Sequence, residues 1–469
     1  MKKIVMKFGG TSVANGENIR NVASLIAKHA NQGYKIVAVI SALEGVTDEL
    51  VEAAEQAKKG NKAYIHESVQ RILERHVTVA KKAIENKHIQ TEVEQILRTS
   101  IDELEKVLTG IIYLGELTPK SKDYVLSFGE KWSARIVCAA LRDLELDAQC
   151  FSGGEAGIVT DSNFGEASPL MNVTKHQIRE EIEPLLEKGM IPVVTGYIAA
   201  TQDGITTTFG RGGSDYTATI IGAALDADEV WIWTDVDGLM TSDPKIVPSA
   251  KMLPEISFQE ATEMVITGAK AMHPRALEPV MKENIPVRIR NVFNPENPGT
   301  LIVKEQRIKQ GDVVKAVTLV KDVAMINVSG AAMFGVPGSY ARIFEVLGKN
   351  NINIMMISTA ISEVNISLAI RRGLLEKSVS ALEMALLGTG LVNEVTAEDD
   401  VCVVAIVGAG MKGTPGVASR IFKAIAQKGI NIRMIAQGSS ELNISLIVKE
   451  ADGEEAVRVI HEEFKLDKI

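Results

Sequence analysis

Two cationic side chains in this sequence are set among glycines. Lys7 opens the run Lys7-Phe8-Gly9-Gly10-Thr11-Ser12, and Arg211 lies in Gly210-Arg211-Gly212-Gly213-Ser214-Asp215. Glycine lets main-chain N–H groups approach an anion closely, and a helix starting just beyond adds positive potential. Lys7 is a point charge suited to a phosphate oxygen. Arg211 is a planar fork that can hold a carboxylate at two points. Asp215 is placed either to orient Arg211 or to bind an amine. The first loop is not a Walker A loop, because the GxxxxGK[ST] spacing is absent.

Other polar residues follow the same pattern of lying just past an apolar run. Ser41 and Thr47, in the segment from Ile40 to Thr47, are hydrogen-bond donors for a ligand or caps of a helix. Glu130, after Ser127-Phe128-Gly129, offers a carboxylate to an ammonium group. Thr234 and Asp235 follow Glu229–Trp233, a natural place for contacts to a nucleotide or Mg²⁺, although each Asp-Gly or Asp-Pro step nearby also suits an Asx turn. Lys270, in Gly268-Ala269-Lys270, adds a third cation, while His273 is expected to pack or cap rather than catalyse. The chain carries a formal charge of −9. An acidic protein argues against nucleic acid or an anionic membrane as partner, and it must concentrate positive charge locally to handle anions. Lys7, Arg211 and Lys270 with two glycine loops meet that need. The set suits phosphoryl transfer, in which catalysis is mainly positioning and charge stabilisation.

These residues need a frame. Ile4–Phe8, Ile36–Ile40, Ile191–Thr195, Glu229–Trp233 and Ile285–Ile289 are continuous apolar runs, as strands buried on both faces should be. Helical patterns lie between them, which predicts an α/β architecture: a three-layer, mostly parallel sheet with ligands at the carboxyl ends of its strands. Leu50 to Gly110 is charged and helix-favouring and predicts two or three helices in a lobe beside the sheet. The C-terminal third repeats itself. Gly330–Gly338 (GAAMFGVPG) returns as Gly408–Gly416 (GAGMKGTPG), and Asn365 returns as Asn443, an offset of 443 − 365 = 78. Two small α+β units are therefore expected at 323–392 and 400–469, after a catalytic domain at 1–304 and a linker at 305–322. Cys138, Cys150 and Cys402 are too few and too scattered for a disulfide scaffold or a metal site. With no signal-peptide pattern and no spanning run, a cytoplasmic location is expected.

In their order along nearly the whole chain, Lys7–Ser12, Ser41–Thr47, Phe128–Glu130, Gly210–Asp215, Thr234-Asp235 and Gly268–Lys270 resemble the aspartate kinases of the amino acid kinase superfamily. The C-terminal repeat resembles their paired, ferredoxin-like ACT domains. The resemblance implies transfer of the γ-phosphate of ATP, with Mg²⁺, to the β-carboxylate of L-aspartate. The product is 4-phospho-L-aspartate, and the reaction opens lysine, threonine and methionine biosynthesis. It assigns Lys7, Phe8, Gly9, Gly10, Thr234, Asp235, Met240, Lys245 and Lys270 to the nucleotide. Thr47, Glu130, Arg211, Gly212, Gly213 and Ser214 fall to aspartate, and Ser41 to the neighbourhood of the transferring phosphoryl group. Met240 stands where a tyrosine is common and Lys245 where an arginine is usual. Each Gly-x-Pro-Gly turn precedes a helix, so its amides can receive an effector carboxylate. The expected effector site is Gly335, Val336, Pro337, Gly338, Ser339 and Asn365, for threonine or lysine with threonine favoured, in a homodimer or homotetramer built through the ACT units. A sibling kinase such as glutamate 5-kinase and a non-catalytic amino-acid sensor are the alternatives. A fused homoserine dehydrogenase is not expected before Ile469.

Overall fold

Strands that read as unbroken apolar runs need cover on both faces, and the chain supplies it. The computed structural model describes residues 2–269, 272–305, 313–359 and 364–468. It divides into two compact units, Met1–Leu239 with Pro254–Phe258 and Lys270–Gln306, and Met240–Leu253 with Gln259–Ala269 and Arg307–Ile469. Met240–Leu253 and Gln259–Ala269 thus group with the C-terminal unit, although they lie within the 1–304 span read as catalytic.

In the first unit the strands are β1 (Lys3–Phe8), β2 (Lys35–Ile40), β3 (Ala148–Phe151), β4 (Val159–Thr160), β5 (Ile191–Thr195), β6 (Ile198–Thr201), β7 (Thr206–Thr208), β8 (Glu229–Thr234), β9 (Glu255–Ser257), β10 (Val287–Asn291) and β11 (Thr300–Val303). Its main sheet runs β3-β5-β2-β1-β8-β10-β11-β9, parallel from β3 to β10, with β11 antiparallel to β10. The sequence places the β10 strand two residues early, because Ile285-Pro286 is still the approach to it. A small second sheet orders β4-β6-β7. The helices are α1 (Gly16–Asn31), α2 (Val46–Lys58), α3 (Lys62–Ala83), α4 (Lys87–Leu114), α5 (Pro119–Asp143), α6 (Met171–Glu187), α7 (Gly213–Ala224), α8 (Phe258–Ile266) and α9 (Glu278–Glu283). Of α8, only Phe258 falls in the first unit. The lobe expected over Leu50 to Gly110 is α2, α3 and α4 packed on α5 around Leu50, Ile72, Leu97 and Leu104. Local signals set its limits: Gly115 ends α4 in the left-handed region, and Thr118 caps α5 ahead of Pro119. Among the described residues no helix is long and apolar enough to cross a membrane.

The second unit is one antiparallel sheet ordered β13-β14-β12-β15-β17-β16. Its strands are β12 (Ala316–Ser329), β13 (Ile354–Thr359), β14 (Asn365–Ile370), β15 (Glu394–Val407), β16 (Met434–Gln437) and β17 (Asn443–Lys449). Helices α10 (Ser339–Lys349), α11 (Leu375–Leu386), α12 (Val417–Ala426) and α13 (Glu450–Glu463) accompany it. The repeats do not close one after the other. Val323–Ser329 pairs with residues 394–401, whereas Ala316–Val320 pairs with Val403–Val407. The first repeat is thereby inserted between the second repeat and that repeat's own last strand. The register keeps the sequence offset, because Ser329 faces Glu394 and Val407 faces Ala316, and 407 − 329 = 394 − 316 = 78. This corrects the linker: residues 316–322 belong to β12, and Val317 is fully buried with Cys402, Val404 and Ile406.

The lobe also buries a histidine. His76 of α3 is fully buried, donates from Nδ1 to the Ile72 carbonyl at 2.7 Å and meets the Trp132 ring edge-on at 4.9 Å, while its Nε2 has no partner. Burial holds its pKa down to about 4. The unfolded chain takes up this proton near pH 6.5 and the folded one does not, so stability from this group is lost as pH falls from about 6.5 toward 4. Between pH 7 and pH 5, denaturant unfolding of wild type should lose about 2 kcal/mol more than unfolding of His76→Gln.

Candidate active site

The carboxyl ends of β1, β2, β5 and β8 meet, and most of the residues singled out in the sequence gather there. The loop after β1 is tied to the end of β8: Gly9 N–H donates to the Trp233 carbonyl at 3.3 Å, and Ser12 Oγ reaches the same oxygen at 3.4 Å. A short 3₁₀ turn, Thr11–Val13, follows, and α1 starts only at Gly16, so the helix expected directly after the glycines begins later. Gly10 faces the loop after β2 so closely that a Cβ there would sit 3.2 Å from the Ala42 carbonyl and 3.4 Å from Glu44 Cα. Ser41 is anchored on both sides, donating its N–H to the Phe8 carbonyl at 3.1 Å and accepting from Ser133 Oγ at 2.6 Å. Neither Ser41 nor Thr47 caps a helix; Gly45 precedes α2, and Thr47 is its second residue.

Lys7 does not wait in solvent for an anion. Its ammonium lies 2.5 Å from Asp215 Oδ1, and both side chains are nearly buried. Asp215 Oδ2 also accepts the His273 N–H at 3.3 Å. Asp215, read as orienting Arg211 or binding an amine, is thus engaged by a third group, Lys7. Arg211 is exposed and makes no ion pair among the described residues. Its charge is felt at His273, whose pKa is lowered by burial and then by Arg275 and Arg211, against the pull of Asp215. Gly212 starts α7 at φ +72°, and a Cβ there would lie 2.1 Å from His273 Cβ, so only glycine fits. Ser214 is half-buried in the first turn of α7, where the helix start adds positive potential. His273 caps the turn Pro274–Leu277, as expected of a non-catalytic histidine.

Glu130 is the second charged group held out of water, at 4% exposure. Burial pushes its carboxyl up to about 8, with the Ala42 and Glu130 main-chain amides pulling the other way. Its Oε2 has no partner. A buried carboxylate with a free oxygen is costly unless a cation meets it. Tyr197 stands beside it with φ +66°, its N–H donating to Thr217 Oγ1 at 3.0 Å and its phenol pushed up to about 12, mainly by burial. Tyr197 escapes sequence reading, because nothing in Thr195-Gly196-Tyr197 distinguishes it from a strand end. Asp123 was also missed. It lies on α5 seven residues before Glu130, hence on the same face. It accepts from Thr208 N–H and Gly165 N–H at 2.9 Å and from Thr208 Oγ1 at 2.8 Å, fixing β7 just ahead of Gly210 and Arg211. Burial still raises its pKa.

Thr234 ends β8 half-buried, and its Oγ1 donates to the exposed Asp235 at 3.2 Å. Asp243 forms the Asx turn read as an alternative, accepting the Lys245 N–H at 2.9 Å. Met240 and Lys245 belong to the second unit, and Lys270 lies outside the described residues. The effector turn is also in the second unit. Gly335 and Gly338 both have positive φ, Gly338 precedes α10, and Ser339 Oγ donates to the Met333 and Val336 carbonyls. Val336 is exposed, and Pro337 completes the turn. Asn365 opens β14 opposite Ser329.

Residues 2–291 match the amino acid kinase family model, and 326–386 and 404–464 each match an ACT domain. The chain belongs to the amino acid kinase family. Within that family, aspartokinase 1 of Arabidopsis thaliana, a chloroplastic protein, is 33% identical over 470 residues, covering 98% of this chain and 80% of that protein. The bifunctional aspartokinase/homoserine dehydrogenase 1 of Zea mays, also chloroplastic, is 35% identical over 474 residues, covering 99% of this chain. The chain spans about half the length of these bifunctional relatives, 50% in the maize case. Among solved structures, Escherichia coli aspartokinase III with aspartate and ADP, in the R-state, superposes with a TM-score of 0.81 at 27% identity, covering 98% of this chain and 99% of that one. The same enzyme with lysine and aspartate, in the T-state, gives 0.82 at 28% identity, covering 99% and 100%. The amino acid kinase fold followed by two ACT units, expected from the sequence, is the fold found.

The state of Glu130 in this family member is testable without substrate. Its carboxyl takes a proton in the folded state that the unfolded chain has released above about 4.5, so it costs stability as pH rises toward 8. Ligand-free Glu130→Gln should therefore resist denaturant better than wild type at pH 8, by up to about 4 kcal/mol, with the gap closing toward pH 5.

Proposed function

We propose that this chain is an aspartate kinase, and the observation that carries the reading is the presence of two buried charged groups by the carboxyl ends of the central strands: Lys7 held by Asp215, and Glu130 with an unpartnered oxygen. Glu130 takes the α-ammonium of aspartate, which turns its raised pKa into an ionised partner. Arg211 takes the α-carboxylate with its fork, helped by Gly212, Gly213, Ser214 and Thr47. The β-carboxylate, with an ordinary pKa of about 3.9, is already ionised at neutral pH and needs no base. One of its oxygens bonds to the γ-phosphorus as the bond from that phosphorus to the bridging oxygen breaks. ADP leaves with the electron pair, and no proton moves.

The difficulty is repulsion between two anions. Lys7, the amides of Gly9 and Gly10 and the loop of Ser41 supply the compensating charge and dipoles beside Phe8, and Lys270 is read as joining them. Thr234, Asp235, Met240 and Lys245 are read as the nucleotide side. No group of three or more His, Cys, Asp or Glu that could hold a metal occurs among the described residues. Mg²⁺ fits as an ion carried by the triphosphate and met by the exposed Asp235 carboxylate, where it would neutralise phosphate charge. The relatives bound to aspartate, ADP and lysine support this reading of substrate, nucleotide and regulation.

Regulation is assigned to Gly335–Ser339 and Asn365, with threonine or lysine as effector. The terminal strands of the sheet, β13 and β16, are the surfaces through which a second copy would extend it. We place the working protein in the cytosol, in keeping with its unpaired thiols. Hydroxamate trapping of the acyl phosphate, with ATP and Mg²⁺, should give product with aspartate and none with glutamate. No product with any amino acid would instead favour a sensor. Lys7→Ala should lower kcat by about 10²–10³-fold with little change in the KM for aspartate. An unchanged kcat would remove Lys7 from the reaction.

A further inference from the structure

A cleft of about 1130 Å³ opens in the first unit between α4, α5, the loop after β3 and the hairpin of β6 and β7. Glu130, Arg211 and the glycine loop after β1 do not line it. Its walls are in part apolar: Trp132, Ile158, Val159 and Ile198 are buried there, and Ile96 of α4 is 37% exposed. The Trp132 indole donates to Ser100 Oγ at 2.8 Å and so joins the two helices that wall the cleft.

Charge in the cleft is unevenly spent. Three carboxylates reach it, and each has a partner. Glu92 accepts both arms of the Arg142 fork at 3.0 and 3.2 Å, Glu155 accepts the Ser152 N–H at 2.7 Å, and Glu103 accepts from the Tyr124 phenol. The two cations that line the cleft are Lys131 and Arg135, four residues apart on α5 and so on one face of it. Among the described residues neither makes a hydrogen bond or an ion pair. Lys131 is half-buried, with its ammonium over the Tyr124 and Phe128 rings at 5.0 and 5.1 Å from their centroids. Burial lowers its pKa, against the pull of Glu103 and Glu155. An ammonium withdrawn from water with its donors unused is costly until an acceptor meets it.

We propose that this cleft is a binding site for an amphipathic organic anion, with a carboxylate or sulfonate head on Lys131 and Arg135 and an apolar body against Trp132 and Ile198. Arg135 supplies a planar fork and Lys131 a point charge, which together suit one such head. The volume is comparable to the roughly 300–1,000 Å³ of small-molecule sites. The three carboxylates disfavour polyanions such as nucleotides by repulsion, so a single negative charge is selected. The site stands on the cleft and its unspent cations and does not depend on the kinase reading.

Titration of the full chain with 8-anilinonaphthalene-1-sulfonate, an anion with an apolar ring body, tests this by fluorescence, and hydrogen exchange locates the bound probe. One saturable site per chain is expected, with exchange slowed over residues 92–103 and 150–158. Lys131→Met keeps an apolar stem over the rings and removes the charge, and Arg135→Gln removes the fork. Each should weaken binding by about tenfold or more. Arg135 is exposed, so Arg135→Gln decides the matter even if Lys131→Met fails to fold. N-phenyl-1-naphthylamine, which lacks the sulfonate, should bind wild type and Lys131→Met equally. The proposal is overturned by the absence of saturable sulfonate binding, by binding that Arg135→Gln leaves unchanged, or by protection confined to other parts of the chain.

Discussion

A lysine ammonium on the central strand of a sheet cannot be left bare in the interior, and the first unit is organised around that fact. Lys7 lies on β1, flanked by β2 and β8, and the carboxylate that meets it comes from α7, more than two hundred residues later. Burying both charges is expensive and is recovered only by close geometry. That geometry needs the glycine start of α7 tight against His273, whose N–H holds the other carboxylate oxygen. The pair fixes the ammonium beside the glycine loop, its charge offset by Asp215. A phosphate arriving there competes for a lysine already oriented, which lowers the reorganisation that transfer would otherwise require.

Glu130 is the complementary case. It is a carboxyl group in a place where ionisation is unfavourable, with one oxygen unsatisfied. In the ligand-free protein it is a source of instability, a cost that an ammonium group bound there, as proposed for the substrate, would remove. Such a site selects for an amine through the penalty of leaving the carboxylate alone as much as through attraction. Asp123, two turns earlier on the same face of α5, instead accepts from Thr208 and Gly165, and it holds the loop bearing Arg211. Two buried acids on one helix thus have opposite tasks, one set by missing partners and the other by a full set.

The second unit shows how duplication can produce two parts that are not equivalent. The register of β12 against β15 places the first repeat inside the second, so neither folds as an independent consecutive module. Their turns have the same sequence pattern and the same left-handed glycines, Gly335 and Gly338 in one, Gly413 and Gly416 in the other. At the second repeat two carboxylates of α8, Glu260 and Glu263, accept from Ala409 N–H and the Asn443 side-chain amide.

Much of this was legible in the residues. Lys7, Arg211 and Glu130 were marked by glycine density and by position after apolar runs, since close backbone approach and buried strands leave a local imprint on sequence. The helical lobe and the 78-residue repeat were legible for the same reason: both are periodic along the chain. What the sequence could not specify were pairings between distant residues. Asp215 answers Lys7 and not its neighbour Arg211. Tyr197 faces Glu130 from an unremarkable strand end. Residues 316–320, read as linker, close the sheet of the second repeat. Met240 and Lys245 group with the C-terminal unit. Each of these depends on which surfaces meet after the chain has folded, and contact across such distances leaves no periodicity or spacing to read.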